Sequence, residues 1–183
     1  MAEGEKERGG ATRLAEKARG VVGAVLGRVT ANTLGAQSAK TFVKNAAIGD
    51  MYELEAAKLA LANAHSPRVK DVAQQMIDDH TTLTHQLRSA MRMNETGDQT
   101  SLPTEVDERR KQMLDELRRV PDDEFDKLYL DQQVLAHKET VDLMTGYAAR
   151  GDNPQLRSVA ASGAPLVTRH LRHMERLREE LAA

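Results

Sequence analysis

The chain has 183 residues, a formal net charge of −2 and charged residues at 30% of its length. This length allows one domain with a substantial core, and the mixed charge gives no reason to expect nucleic acid as a partner. No cysteine is present, which excludes disulfides, thiolate metal sites and cysteine nucleophiles. Aromatic residues make up only 3% of the chain, so Ala, Leu, Val and Met must form the core. That composition favours an all-α fold.

Residues 1–38 differ in character from the rest, being rich in glycine and carrying charges of both signs. We interpret them as a flexible or partly helical basic tail. An apolar series at helical spacing runs through this tail, accompanied by basic side chains: Leu14, Ala18, Val21, Val25 and Val29, with Arg13, Lys17, Arg19 and Arg28. Such a segment, over residues 13–30, is typical of contact with a membrane surface or another protein.

Neither a signal peptide nor a membrane span is expected. The apolar stretch in the tail is interrupted by Arg28, and no apolar run approaches the roughly 20 residues that span a bilayer. The expected location is therefore cytoplasmic, with the cell envelope as the alternative if the start site is misassigned.

Residues 39–183 should form the bundle domain. The first helix is predicted over residues 39–64 with Ser38 as its N-cap, and the second over residues 67–95 with Ser66 as N-cap and Pro67 at its first position. Because so short a join leaves no room for a crossover, these two helices should form an antiparallel hairpin.

The second half of the domain repeats this plan. A short helix is predicted over residues 104–119, a long helix over residues 122–150, and a last helix from Pro154, capped by Asp152 and Asn153. The result is a ferritin-like four-helix bundle of two antiparallel hairpins joined by a connection that contains the short helix. A simple up-and-down bundle is the alternative, and Pro165 should kink the last helix.

Three histidines interrupt the apolar stripes of three different helices, where leucine would normally pack. The stripes read Ala73, Met76, His80, Leu83, Leu87; then Leu130, Val134, His137, Val141, Met144; then Leu156, Val159, Gly163, Leu166, His170, Met174, Leu177. Counting residues from the predicted caps places Glu53 of the first helix within roughly 5 Å of the same level. The pattern therefore predicts one shared polar layer.

Three imidazoles and a carboxylate are a sufficient ligand set for one divalent transition metal, and the spacing does not choose among Zn, Mn, Fe, Cu and Ni. The expected metal ligands are Glu53, His80, His137 and His170, with Asp79 as an outer residue. A metal-free network of hydrogen bonds between Glu53 and the histidines would satisfy the same groups. Both alternatives are compatible with the sequence.

Residues 42–87, 125–160 and 164–177 resemble, in the same order, segments of a bacterial ferritin-like family known as a domain of unknown function (DUF4142). The resemblance implies a ferritin-like fold. It also implies that the recurring polar positions of the family fall here on Glu53, the Asp79 and His80 pair, His137 and His170. Some members are labelled outer-membrane or exported proteins.

The sequence therefore predicts an uncharacterised bundle protein that binds a metal ion at a mid-bundle cluster of histidine and glutamate. The alternative is a non-enzymatic protein of stress response or of the envelope, whose polar core is metal-free. The sequence gives little support for a nucleophilic enzyme, since neither a glycine-flanked serine nor a glycine-rich phosphate loop nor an H-E-x-x-H motif occurs. A hydrolase or oxidase that uses the metal is a third, weaker alternative. Di-iron proteins carry Glu-x-x-His on two helices, and its absence at these positions argues against ferroxidase chemistry.

Overall fold

The structure is a computed structural model that describes residues 38–93 and 101–182. The predictions made for residues 1–37 lie outside that range. Where the structure describes the chain, it is helical and has no strands, so the all-α prediction is confirmed. The helices are α1 (Ala39–Asn63), α2 (Pro67–Met93), α3 (Glu108–Arg119), α4 (Phe125–Arg150) and α5 (Pro154–Ala182), with a 3-10 turn at Asp122–Glu124 before α4.

Two helix starts differ from the sequence prediction. The short helix begins at Glu108, four residues later than expected, because the Asp107 carboxylate accepts a hydrogen bond from the backbone amide of Arg110 (2.8 Å) and caps the helix there. The fourth predicted helix was expected from residue 122, but the 3-10 turn precedes it. Ser38 stands at the N-cap of α1 without a side-chain capping bond.

Both ends of the helical hairpins are held by aspartates from elsewhere in the fold. Asp152, in the turn between α4 and α5, accepts a hydrogen bond from the backbone amide of Ala39 (2.9 Å). Asp126, in the first turn of α4, accepts bonds from the backbone amides of His65 (3.0 Å) and Ser66 (2.7 Å) in the turn between α1 and α2. These bonds fix the two hairpins against each other at both ends.

The side-chain contacts give the direction of each helix. On α1 and α4, Phe42 stacks on Tyr147 and Glu53 lies near His137, so these helices are antiparallel. On α2 and α5, Arg68 pairs with Glu180 and Asp79 bonds to His170, so they are antiparallel too. Because tight turns make α1 antiparallel to α2, and α4 antiparallel to α5, α2 and α4 run in the same direction.

The buried apolar residues form two clusters, one on each side of the histidine level. The upper core lies toward the turn between α4 and α5 and includes Phe42, Val43, Leu83, Leu87, Met144, Tyr147, Leu156 and Val167. The lower core lies toward the turn between α1 and α2, contacts α3, and includes Tyr52, Ala56, Ala60, Ala73, Met76, Tyr129, Leu130, Met174 and Leu177.

The predicted stripe on the last helix needs one correction. Ala160 and Val167 are fully buried, whereas Val159 and Leu166 are only partly buried. The 3.6-residue helical period places the buried positions at alternating spacings of four and three from Leu156 onward, and the prediction was one residue early at two of them. On α4, Val141 is likewise only partly buried. Helix α5 continues through Pro165.

Candidate metal centre

The three histidines converge between the two cores. His80 from α2, His137 from α4 and His170 from α5 are each at most 1% exposed. One ring nitrogen from each lies within 4.8 Å of those of the other two, and the ring centroids are 5.4 to 5.8 Å apart. The sequence placed these residues in one layer, and the structure brings their rings together.

In each imidazole one ring nitrogen, here called the outer nitrogen, is hydrogen-bonded to an acceptor and therefore carries the proton of that bond. These bonds join His80 Nδ1 to Asp50 Oδ1 (2.9 Å), His137 Nδ1 to the backbone oxygen of Gln133 (3.0 Å), and His170 Nε2 to Asp79 Oδ2 (2.8 Å). Carboxylate or carbonyl acceptors on the outer nitrogen are the usual arrangement around a histidine that binds a metal, because they fix the ring orientation and leave the inner nitrogen free to bind.

The other nitrogen of each ring, here called the inner nitrogen, makes no hydrogen bond to any described residue. The inner nitrogens are His80 Nε2, His137 Nε2 and His170 Nδ1. A buried polar atom without a partner destabilises a protein by roughly 1 to 3 kcal/mol, so a group that bonded to all three nitrogens would stabilise the fold. A tetrahedral metal with bonds of about 2.0 to 2.1 Å would draw the nitrogens to about 3.4 Å of one another. Side-chain movements of about 1 Å would be enough.

Glu53 of α1 lies beside this group. Its side chain is 1% exposed, Oε1 is 3.6 Å from Nδ1 of His137, and Oε2 has no partner among the described residues. Burial raises the pKa of Glu53, and the charge of His80 opposes that rise. Glu53 thus lies near the outer nitrogen of His137, and the ring nitrogens that approach one another come from the histidines alone.

The three histidines differ in protonation. Burial lowers the pKa of His137 to about 3, helped by the charge of His80. Burial also lowers the pKa of His170 to about 4, although Asp79 partly opposes this. For His80, burial likewise lowers the pKa, but the hydrogen bond and charge of Asp50 outweigh it and the pKa is raised. At neutral pH, His137 and His170 are therefore uncharged and carry free lone pairs, whereas Asp50 favours the protonated form of His80.

Asp50 is the residue that the sequence analysis missed. It is 5% exposed, and its second carboxylate oxygen accepts a hydrogen bond from the Thr84 hydroxyl (3.0 Å). One signal was present, since Asp50 follows Ala46 by four residues and precedes Glu53 by three on the buried face of α1. Asp79, expected as an outer residue, bonds to His170 of α5 and not to its sequence neighbour His80, whose outer partner is Asp50.

Further polar groups without partners lie below the histidines. Gln133 and Tyr129, one and two turns before His137 on α4, are both fully buried, and neither the Gln133 amide nor the Tyr129 hydroxyl makes a hydrogen bond within the described residues. Burial raises the pKa of Glu53 and the Gln133 side chain opposes that rise, while burial raises the pKa of Tyr129 and the Glu53 charge adds to it.

Two buried side chains of the same types, Tyr52 and Gln132, do have hydrogen-bond partners. Tyr52 donates its hydroxyl proton to Gln132 Oε1 (3.0 Å). Gln132 Nε2 donates in turn to the backbone oxygen of Met113 (3.0 Å) and to Glu116 (3.1 Å), which ties α3 to α4. The free groups of Tyr129 and Gln133 are therefore particular to the layer below the histidines.

The comparisons with known proteins agree with a helical fold of unassigned role. The family described as "Domain of unknown function (DUF4142)" matches residues 26–177. The crystal structure of a DUF305 fragment from Deinococcus radiodurans is similar, with a TM-score of 0.65 and 14% identity, over 77% of this chain and 95% of that chain. At that identity the likeness concerns the fold alone. No curated protein matches.

In the described part of the chain, none of the helices combines the length and apolarity needed to cross a membrane. The family match covers most of the sequence, including every residue of the histidine layer and its outer partners. The chain belongs to the DUF4142 family of domains of unknown function.

Proposed function

We propose that the protein binds one divalent transition metal at His80, His137 and His170. One observation carries the proposal. In each ring the outer nitrogen is bonded to an acceptor and the inner nitrogen has no partner among the described residues, and one nitrogen of each ring lies within 4.8 Å of those of the other two. Histidine nitrogens suit Zn, Mn, Fe, Co, Ni and Cu. Because His137 and His170 are neutral near pH 7, binding requires the loss of one proton at most, from His80.

We assign Glu53 as the fourth protein ligand. Its Oε2 is buried and has no partner among the described residues, and its Oε1 is 3.6 Å from the ring of His137. A divalent cation would lower the pKa of Glu53 and so offset the effect of its burial. Asp50 and Asp79 then act as outer residues that orient His80 and His170.

We propose that the helices that carry this site form a ferritin-like four-helix bundle. Helices α2 and α4 run in the same direction, so the chain between them must return along the bundle, and α3 lies in that connection against α1 and α4. A simple up-and-down bundle would place α2 and α4 antiparallel. The contact pattern therefore supports the ferritin-like connectivity.

The rival proposal is a metal-free polar network in a non-enzymatic stress or envelope-associated protein. Such a network would bond the inner ring nitrogens to one another or to Glu53. Among the described residues those nitrogens are unpartnered, which favours the metal. We propose no catalytic residue. Contact of residues 13–30 with a membrane remains a separate proposal, tested by liposome co-sedimentation of the full chain against one that lacks residues 1–37.

The metal proposal is tested by two measurements: the amount of bound metal, by elemental analysis, and the thermal stability of the protein. The full-length protein is purified without an affinity tag, stripped with a chelator, and titrated with Zn, Mn, Fe, Co, Ni and Cu while its thermal unfolding is followed. The expected result is about one equivalent of bound metal and a higher Tm, since a ligand of the folded state stabilises it. Less than about a tenth of an equivalent of every metal, with no shift in Tm, would favour the metal-free network.

A further inference from the structure

A groove runs along the outer side of the second hairpin. Its walls come from α4 and α5 alone, and its volume is ≈ 760 Å³. Small and apolar side chains form most of its surface: Ala148, Ala149, Ala161, Ala164 and Pro165. The threonine hydroxyls in it, those of Thr145 and Thr168, donate to backbone oxygens of their own helices (2.7 Å each). Because these hydroxyls are already bonded, the groove suits an apolar occupant.

The chain enters the described structure close to this groove. The backbone amide of Ala39, at the start of α1, donates to Asp152 in the turn between α4 and α5. On α4, Ala149 is three residues before Asp152, and on α5, Ala161 is seven residues after Pro154, about 10 Å along the helix. Residues 26–37 could cover about 18 Å as a helix and up to about 40 Å as an extended chain. They are therefore long enough to reach the groove and follow it.

The family match begins before α1. It starts at residue 26, whereas the structure describes the chain from residue 38. The composition changes at the same place: nine residues of 1–25 are charged, but in residues 26–37 only Arg28 is, and Leu26, Val29 and Leu34 are apolar. Residues 26–37 therefore have both the family membership and the apolar side chains of a segment that packs on the bundle.

We propose that residues 26–37 dock in the groove between α4 and α5. Leucine and valine side chains would fill the space that the alanines of the groove leave open. The other side of α4 is covered, since α3 contacts both α1 and α4, and Leu102 packs against the upper core. Docking does not depend on the metal site. Residues 26–30 cannot contact the groove and a membrane at once, so docking would limit membrane contact to the residues before Leu26.

Trypsin cleavage of the full-length protein tests the docking, because it compares two sites in one chain. Arg28 lies in the proposed docked segment and Arg19 lies before it. A docked segment is cleaved only while it is out of the groove. Burial of one leucine shifts that equilibrium by about tenfold or more, so cleavage after Arg28 should be slower than cleavage after Arg19 by about tenfold or more. Mass spectrometry measures both rates, and a peptide of residues 1–37 corrects for the intrinsic difference between the sites.

A matched pair of variants locates the contact. Ala161→Glu places a charge in the groove, whereas Ala62→Glu makes the same change at an exposed alanine of α1, at the opposite end of the bundle. Ala161→Glu should speed cleavage after Arg28 about fivefold or more, and Ala62→Glu should change it by less than about twofold. Equal corrected rates after Arg19 and Arg28 in wild type, or equal effects of the two variants, would overturn the docking. Protection that is lost as a dimer dissociates on dilution would place the segment on a second copy and overturn it too.

Discussion

The upper and lower cores are built from the same kinds of side chain but differ in how their polar groups are satisfied. In the upper core, Tyr147 stacks on Phe42 and donates its hydroxyl proton to Asp152. In the histidine layer and the lower core, buried side-chain atoms lack partners in the described parts of the chain: Glu53 Oε2, His80 Nε2, Tyr129 Oη, Gln133 Oε1 and Nε2, His137 Nε2 and His170 Nδ1.

This difference locates the region in which buried polar groups lack partners among the described residues. Buried polar groups in folded proteins are almost always hydrogen-bonded, and a cluster of exceptions calls for an occupant that supplies the missing bonds. Among the described residues these unpartnered atoms lie at the histidine level and below it, so the metal proposed for the three histidines would lie beside them.

The largest expected effect is the loss of a ligand. His137→Leu keeps a side chain of similar size, so the metal-free protein should remain as stable as wild type or become more stable, while metal affinity falls by about 100-fold or more. Isothermal titration measures the affinity, and urea unfolding measures the stability. His173→Leu, on the same helix as His170 but outside the site, is the control and should leave the affinity unchanged; a wild-type affinity in His137→Leu would contradict the account.

The pH dependence of stability should be the next largest effect. The pKa of His137 is about 3 and that of His170 about 4 in the folded protein, against about 6.5 when unfolded. The unfolded chain therefore binds more protons between those values, and the metal-free protein should lose stability as the pH falls from about 6.5 toward 4, by about 1 kcal/mol per pH unit for each histidine.

Urea unfolding of the metal-free protein across this pH range measures that loss. His137→Leu should reduce the slope, since a leucine side chain takes up no proton on unfolding, whereas the carboxylates titrate alike in both proteins. Equal slopes for the variant and wild type would mean that His137 is not held neutral. His80 acts in the opposite direction, because its pKa is raised: its contribution is present at low pH and is lost as the pH rises through its folded pKa.

Neighbouring aspartates of α2 give a sharper test of how the site is held. Asp79 accepts from His170, whereas Asp78 accepts from Gln74 on the exposed side of the helix. Asp79→Asn should weaken metal binding by about 10- to 100-fold, the usual effect of removing an outer partner of a histidine ligand. Asp78→Asn removes the same charge one residue away and should change the affinity by less than about twofold. Similar losses in both variants would mean that only charge near the site matters.

The smallest expected effect is the difference in the free energy of unfolding between tyrosine variants of the two cores, measured in the metal-free protein. Tyr147→Phe should lower the free energy of unfolding by about 1 kcal/mol, because it removes the hydrogen bond to Asp152. Tyr129→Phe removes a hydroxyl without a partner among the described residues, so any loss should be smaller. Urea unfolding at neutral pH measures both. A larger loss for Tyr129→Phe would show that its hydroxyl is well bonded even without metal.

The sequence was sufficient for the helices and for the depth of the histidines. Helical periodicity and the capping residues specify which positions share a face and a level. They were enough to predict that His80, His137 and His170 lie in one layer. The starts of the short helix and of α4 were less accurate, because an Asp or Thr at several adjacent positions can cap a helix, and the backbone that chooses Asp107 is not visible in the sequence.

Partners across helices could not be predicted in the same way. Asp50 stands beside Gly49 and looks like a solvated acid in the sequence, yet packing turns it toward His80. Gln132 and Gln133 are adjacent and chemically identical, and only the rotation of α4 decides which of them meets α3 and which faces the polar layer. These rotations depend on the packing of all five helices, which no local pattern encodes.

The central claim is that the inner nitrogens of His80, His137 and His170 bind one metal ion. X-ray absorption spectroscopy of the metal-loaded, untagged full-length protein tests it most directly, because imidazole ligands have a characteristic multiple-scattering signature. The account predicts three imidazole nitrogens at about 2.0 to 2.1 Å, together with oxygen ligands from Glu53 and a bound water. A shell of oxygen atoms with one imidazole or none would contradict it.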